Sequence, residues 1–234
     1  MKGLRVGVLC NGRHVGTEDW EGVVWGRPPK MGQIPKAIQA VIDFEAILLV
    51  FGTGASEKKG VKEAQVMINF MLENINKLTA FPFFQKMIEQ DILGLHNLLW
   101  SITIAETTSK NTVEEFNATM QIFKNHGVEL IVDVTSPTHA SRCMRDAIDA
   151  TERAGVNLTP SRGVVVMPAE THYSGYSISD VVISEPPHRG DSPQSFRQFH
   201  ALAKRLSPTF FKGDEQKRGE ILGDLVALIS KYGG

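Results

Sequence analysis

The sequence predicts an α/β fold of Rossmann-like type, a mostly parallel sheet with helices on both faces. Short apolar, β-branched runs recur along the chain, most of them separated by longer segments with helical spacing, which is how a helix-covered parallel sheet is written. The 234 residues are 42% hydrophobic and 22% charged, enough to bury a sizeable core and to exclude global disorder. No stretch rich in Pro, Gly and Ser divides the chain, and no repeat is visible, so one domain over residues 1–234 is expected.

The strands are expected at 4–9, 46–51, 101–104, 129–135, 163–167 and 180–184. The helices are expected at 33–43, 60–78, 83–99, 113–126, 137–154, 194–206 and 215–231. In the second helix Ala64, Met67, Ile68, Met71, Leu72 and Ile75 recur at steps of three and four, which marks a core-facing stripe. Thr112-Val-Glu-Glu115 has the order of a capping box. Ser136-Pro137 places an N-cap before proline at the first helical position. Gly127 and Gly155 follow two helix ends, where a left-handed residue closes the last turn. Residues 11–30 and 169–192 read as loop-rich, and 185–234 as a C-terminal loop and helices.

Composition excludes several functions. Lys plus Arg is 25 against 26 for Asp plus Glu, so no excess of cations is available to coat a nucleic-acid polymer. Cys10 and Cys143 are too few for a disulfide scaffold or a Cys-rich zinc site, which suits a reducing cytoplasm. The longest apolar run, 46–51, is far short of the roughly 20 residues a membrane helix needs. Residues 1–9 pass quickly into Asn11, Gly12, Arg13 and His14 and lack a signal-peptide core. A soluble, cytoplasmic protein without a membrane partner is expected.

Ligands of open parallel sheets bind beyond the carboxyl ends of the strands. Cys10-Asn11-Gly12-Arg13-His14 follows the first strand, and Gly52-Thr53-Gly54-Ala55-Ser56 the second. Small residues let backbone N–H groups approach an anion, with hydroxyls of Thr53 and Ser56 as further donors. Glu106, Ser109, Asn111 and Thr112 follow the third strand, the last two as helix caps or as ligand contacts. Glu106 is there a candidate acid, base or hydroxyl acceptor. The densest segment runs from Asp133 through Thr135, Ser136 and His139 to Arg142. A helix start, an imidazole and a guanidinium converging on one point suit a phosphate, a carboxylate or a developing oxyanion. Ser136 reads as an N-cap, since the Gly-x-Ser-x-Gly elbow of a nucleophilic serine is missing. No Gly-x-x-x-x-Gly-Lys-Ser/Thr loop and no His-Glu-x-x-His helix occurs. His172, His188, Arg189 and Asp191 could close over a ligand, and Asp19, Trp20 and Trp25 could bound one; plain loop and packing roles suit them as well.

In this order the elements resemble the YdcF-like family, which includes SanA-like and ElyC-like proteins. Gly52-Thr53-Gly54 matches its Gly-rich turn, and Glu63 its helix acid. Glu106, Ser109, Asn111 and Thr112 match the middle motif; Val134-Thr135-Ser136, His139 and Arg142 match the last. The resemblance covers about 46–147; the first strand ends in Cys10-Asn11-Gly12 in place of a glycine cluster, and 79–100 is a longer helical insertion. The resemblance implies a Rossmann-like sheet with a polar crevice for a nucleotide-like or phosphorylated ligand, S-adenosylmethionine being one candidate.

The expected function is a soluble hydrolase- or transferase-type enzyme acting on a nucleotide-like or phosphate-bearing small molecule. Asn11, Gly52, Thr53, Gly54, Ser56, Ser109, Asn111, Thr112, Thr135, Ser136 and Arg142 would bind, and His139 with Glu106 or Glu63 would move protons. The alternative is a non-catalytic nucleotide-like ligand-binding or sensor domain in the same crevice; an interaction module is a third reading. No metal site is assigned: Asp133, Glu106, Glu63 and His139 would meet only if the strand order brought them together. The 79–100 insertion suits a lid or a dimer surface, which leaves self-association open.

Overall fold

Among the described residues, five strands form the central sheet: β1 (Val6–Cys10), β2 (Leu48–Phe51), β3 (Thr103–Ala105), β4 (Leu130–Thr135) and β5 (Val164–Pro168). In the computed structural model their order is β3-β2-β1-β4-β5, and every neighbouring pair is parallel. Val8 of β1 aligns with Leu49 on one side and Val132 on the other. The chain thus moves outward from β1 to β3, then crosses back to lay β4 on the opposite flank. This reversal opens a crevice beyond the carboxyl ends of β1 and β4, the switch point at which such sheets hold ligands.

Residues 3–17, 19–154 and 163–171 are described, with positions 223 and 227. The chain divides into two compact units, Met1–Val182 and Ile183–Gly234, and the five-stranded sheet belongs to the first. The expected strand at 180–184, the helix at 194–206, Gly155, and His172, His188, Arg189 and Asp191 lie outside the described residues, as does the helix at 215–231 except for positions 223 and 227, both helical.

Strand periodicity divides the core into two layers. Val6, Val8, Leu49, Phe51, Leu130, Val132 and Val134 face one cluster, with Ile34, Ile38 and Val41 of helix α1 (Gln33–Asp43) and Met67 and Met71 of α2 (Glu63–Asn74). Leu95 and Leu99 of α3 (Gln85–Ile102) join it. Leu9, Leu48, Val50 and Ile131 face the other, against Phe116, Met120 and Phe123 of α4 (Thr112–Asn125) and Ala147 of α5 (Ala140–Arg153). Gly7 is a packing requirement of that layer, because a Cβ there would lie 2.7 Å from the Phe123 ring. With both faces covered, β1, β2 and β4 are buried along their whole length. Asp133 and Thr135 alternate with Val132 and Val134, so they point to the α4 and α5 side.

Several boundaries differ from the sequence reading. The stretch 11–30 holds a helical turn at Trp20–Val24 and a small hairpin, Gly26–Arg27 with Lys30–Met31. Gly26 sits at φ 95, where a Cβ would meet the Lys30 carbonyl oxygen at 2.3 Å. Helix α2 begins only at Glu63, after a second small hairpin, and ends in a 3₁₀ turn, Ile75–Ala80. The helix expected from 137 is a 3₁₀ turn, Pro137–His139, followed by α5. Helix α3 is broken at Asp91 (φ −159, ψ 69), whose carboxylate accepts the Gly94 N–H at 2.7 Å and restarts the helix. No helix among the described residues is long and apolar enough to cross a membrane.

The cap of α4 lies one residue earlier than the Thr112 box. Asn111 Oδ1 accepts the Glu114 N–H at 3.0 Å, and the Glu114 carboxylate accepts from Asn111 Nδ2 at 2.7 Å. Asn111→Ala is expected to cost about 1 kcal/mol, read as a lower urea midpoint. A loss seen with Thr112→Ala and absent with Asn111→Ala would overturn this placement.

Candidate functional site

A cleft of about 540 Å³ opens at the carboxyl ends of the strands, within the size range of small-molecule sites. It gathers seven of the sequence-predicted residues: Asn11, Thr53, Glu63, Asn111, Thr112, His139 and Arg142. Parallel topology explains the convergence, because the segments after β1, β2 and β4 and the starts of α2, α4 and α5 must all lie at the same sheet edge.

One wall is cationic. Arg13 Nη1 lies 3.0 Å from both ring nitrogens of His139 and donates to whichever is unprotonated. Trp20 Nε1–H holds the Arg13 carbonyl at 2.9 Å, and Trp20 in turn packs edge-on against Phe70 at 5.3 Å. Trp25 also packs on Phe70, at 5.8 Å, and Asp19 pairs with Arg27 at 2.6 Å. All three first-loop residues therefore serve the scaffold. Arg142, one turn along from His139, is exposed. Burial, then Arg13, then Arg142 push the imidazole down to about 3, so His139 is uncharged at neutral pH.

The cleft also carries buried carboxyls. Glu63 begins α2 and is 1% exposed; its Oε2 accepts from the Ser56 hydroxyl, which itself accepts the Val15 N–H at 3.0 Å. Burial raises Glu63 to about 7, against the lowering effects of Ser56 and Arg13. Glu115, in the first turn of α4, is 4% exposed and accepts the Gly12 N–H at 3.1 Å. Burial again leads in raising it to about 7; Glu63 and Glu106 add to the rise, while Gly12 and Asn11 oppose it. Asp133, wholly buried beneath, is raised well above the ordinary carboxylate range by burial and then by Glu115. Asn11 lies near enough to Glu115 and Asp133 to favour their ionised forms, yet its side-chain oxygen and nitrogen complete no hydrogen bond among the described residues.

The remaining predicted residues do not line the cleft, and their placement shows what they do. A Cβ on Gly52 would fall 2.0 Å from Glu115 Oε1, and one on Gly54 would fall 1.9 Å from the Thr107 carbonyl oxygen. These glycines admit protein atoms where an anion was expected. Glu106 staples its own turn, accepting the N–H groups of Thr108 and Ser109 at 2.7 and 3.1 Å and both their hydroxyls. Ser109 also meets the Thr53 hydroxyl at 2.6 Å. Thr135 Oγ1 accepts from Cys143 Sγ at 3.5 Å, and Ser136 Oγ lies 3.4 Å from Thr138 Oγ1. The last two span the turn between β4 and α5. Ser136 precedes the 3₁₀ turn without a side-chain cap bond.

Gly12, Arg13, Glu115 and Cys143 line the cleft although the sequence did not single them out as site residues. Glu115 was hidden because its spacing from Thr112 reads as the acid of a capping box, a part that Glu114 takes with Asn111 in the structure. Arg13 follows directly from a strand end and could have been found by position alone. Both cysteines are buried, and burial, first among several causes, raises both thiols well above their ordinary value. Among the described residues, no group of three or more His, Cys, Asp or Glu side chains is arranged to hold a metal ion. Comparison with protein-family models, curated proteins and solved structures finds no match to this chain.

Proposed function

We propose that this protein is a hydrolase- or transferase-type enzyme acting on a phosphate-bearing, nucleotide-like small molecule held at the switch point of the sheet. The observation that carries the reading is the gathering of unlike groups in one cleft: Arg13 and Arg142 beside a neutral His139, together with the buried carboxyls of Glu63 and Glu115. Guanidinium groups hold a phosphate through charge-assisted hydrogen bonds. A neutral imidazole at its side can donate or accept without adding charge. A carboxyl that titrates near 7 suits general acid–base work at physiological pH, a part His139 cannot take while its charged form is so disfavoured. Glu63 is therefore the proton-transfer group and His139 a positioning and hydrogen-bonding one. The likeness of these motifs to the YdcF-like pattern agrees with this reading.

A thermal-shift screen against nucleotides, S-adenosylmethionine and sugar phosphates tests it. A phosphate-bearing compound is expected to raise the Tm, and Arg142→Ala to weaken its binding about tenfold to a hundredfold, as loss of a charged hydrogen bond worth about 1.5–3 kcal/mol predicts. With that compound as substrate, Glu63→Gln should lower kcat by roughly 10² or more. Binding without product would make the domain a sensor of the same ligand. A full screen without a shift would sink the proposal.

A further inference from the structure

Two carboxyls from different helices meet at one residue of backbone. Glu115 Oε1 accepts the Gly12 N–H at 3.1 Å, while a Cβ on Gly12 would fall 2.3 Å from Glu63 Oε1. Gly52, on the neighbouring strand end, leaves the matching space for Glu115. Two glycines, on β1 and β2 exits that the parallel register sets side by side, thus form a cradle into which both acids reach. Ser56 fixes one of them and Gly12 the other. Beside the pair Asn11, 4% exposed and lining the cleft, leaves both its side-chain polar atoms without a hydrogen-bond partner among the described residues. A buried amide in that state is what a site awaiting an occupant or a proton rearrangement presents.

We infer that Glu63 and Glu115 act as a carboxyl pair sharing one proton against Gly12, and that the pair takes up a further proton when an oxyanion occupies the cleft. Two like charges in a buried space cannot both ionise at little cost, so one proton is retained. The groups facing the pair are Arg13 after β1, Glu106 after β3, Asp133 on β4, and the buried thiols of Cys10 on β1 and Cys143 on α5. Arg13 is the cation among them, and it is already engaged with His139. An arriving dianion draws on the arginines and disfavours the remaining carboxylate, which lowers its charge by binding a proton from solvent. Only this second half rests on the proposed function.

The test of the first half is a carboxyl NMR titration of the free, full-length protein labelled with ¹³C-glutamate. Two resonances should titrate about two pH units above the ordinary glutamate value, and Glu63→Gln should lower the midpoint of Glu115. Midpoints in the ordinary range, or a Glu115 midpoint indifferent to Glu63→Gln, would overturn the pair. The wild-type curve decides the matter even if the variant does not fold. For the second half the probe is inorganic sulfate, which has no proton to exchange near pH 7. Calorimetry in buffers of different ionisation enthalpy should show uptake approaching one proton per sulfate, and the Glu63→Gln, Glu115→Gln double variant should abolish it. Sulfate binding with no uptake overturns proton coupling alone. No sulfate binding overturns both the coupling and the oxyanion reading, and leaves the pair to stand or fall by its titration.

Discussion

Gly12→Ala is expected to destabilise the protein by about 3 kcal/mol, the upper end of what overpacking costs, or more. The added Cβ would lie 2.3 Å from Glu63 Oε1, 2.4 Å from the Gly52 carbonyl oxygen and 2.7 Å from Thr53 Cγ2. A glutamate can swing aside, but the Gly52 oxygen belongs to a strand exit whose N–H is bonded to the Cys10 carbonyl at 3.2 Å. The backbone must separate there, and the N–H of residue 12 then turns away from Glu115. Urea midpoints measure the loss. Gly163→Ala is the control, because among the described residues nothing lies within 4 Å of its would-be Cβ, and its φ is unstrained. If the two variants unfolded at the same midpoint, the cradle around Gly12 would not be under the packing constraint described.

Glu115→Gln is expected to stabilise the protein at pH 8 by about 3 kcal/mol relative to its effect at pH 4, at about 1.4 kcal/mol per pH unit of displaced pKa. The ordinary value of 4.5 is raised to about 7 in the fold. Between these values the folded state binds more protons than the unfolded chain, so Glu115 favours folding below about 4.5. That contribution is lost as pH rises through about 7, where the carboxyl must ionise inside the protein. Glutamine never ionises, and so its advantage grows with pH. His139 has the opposite sense: it stays neutral in the fold, and stability is lost as pH falls below its ordinary 6.5 toward about 3. It is common to both proteins and drops out of their difference. Equal pH profiles for wild type and variant would show that Glu115 is not held in the low-dielectric setting that burial implies.

The sequence by itself determined the layered fold and most of its elements. Strand cores at 48–51 and 130–135 and the helix at Gln33–Asp43 follow from apolar runs and helical spacing, which are local signals. It also located the crevice, since parallel strands bring their exits to one edge whatever the detail. Tertiary structure decided which of the residues at that edge face one another. Glu106 and Glu115 are both acids near the start of the same helix; only packing shows that one closes a turn on Thr108 and Ser109 while the other reaches Gly12. Gly52 and Gly54 carry the composition of an anion cradle, yet the space they leave is filled by Glu115 and the Thr107 backbone. Arg13 became a partner of His139 through a contact spanning 126 residues of sequence. Burial and long-range proximity set the charge states of Glu63, Glu115 and His139, and neither is encoded at the residue that titrates.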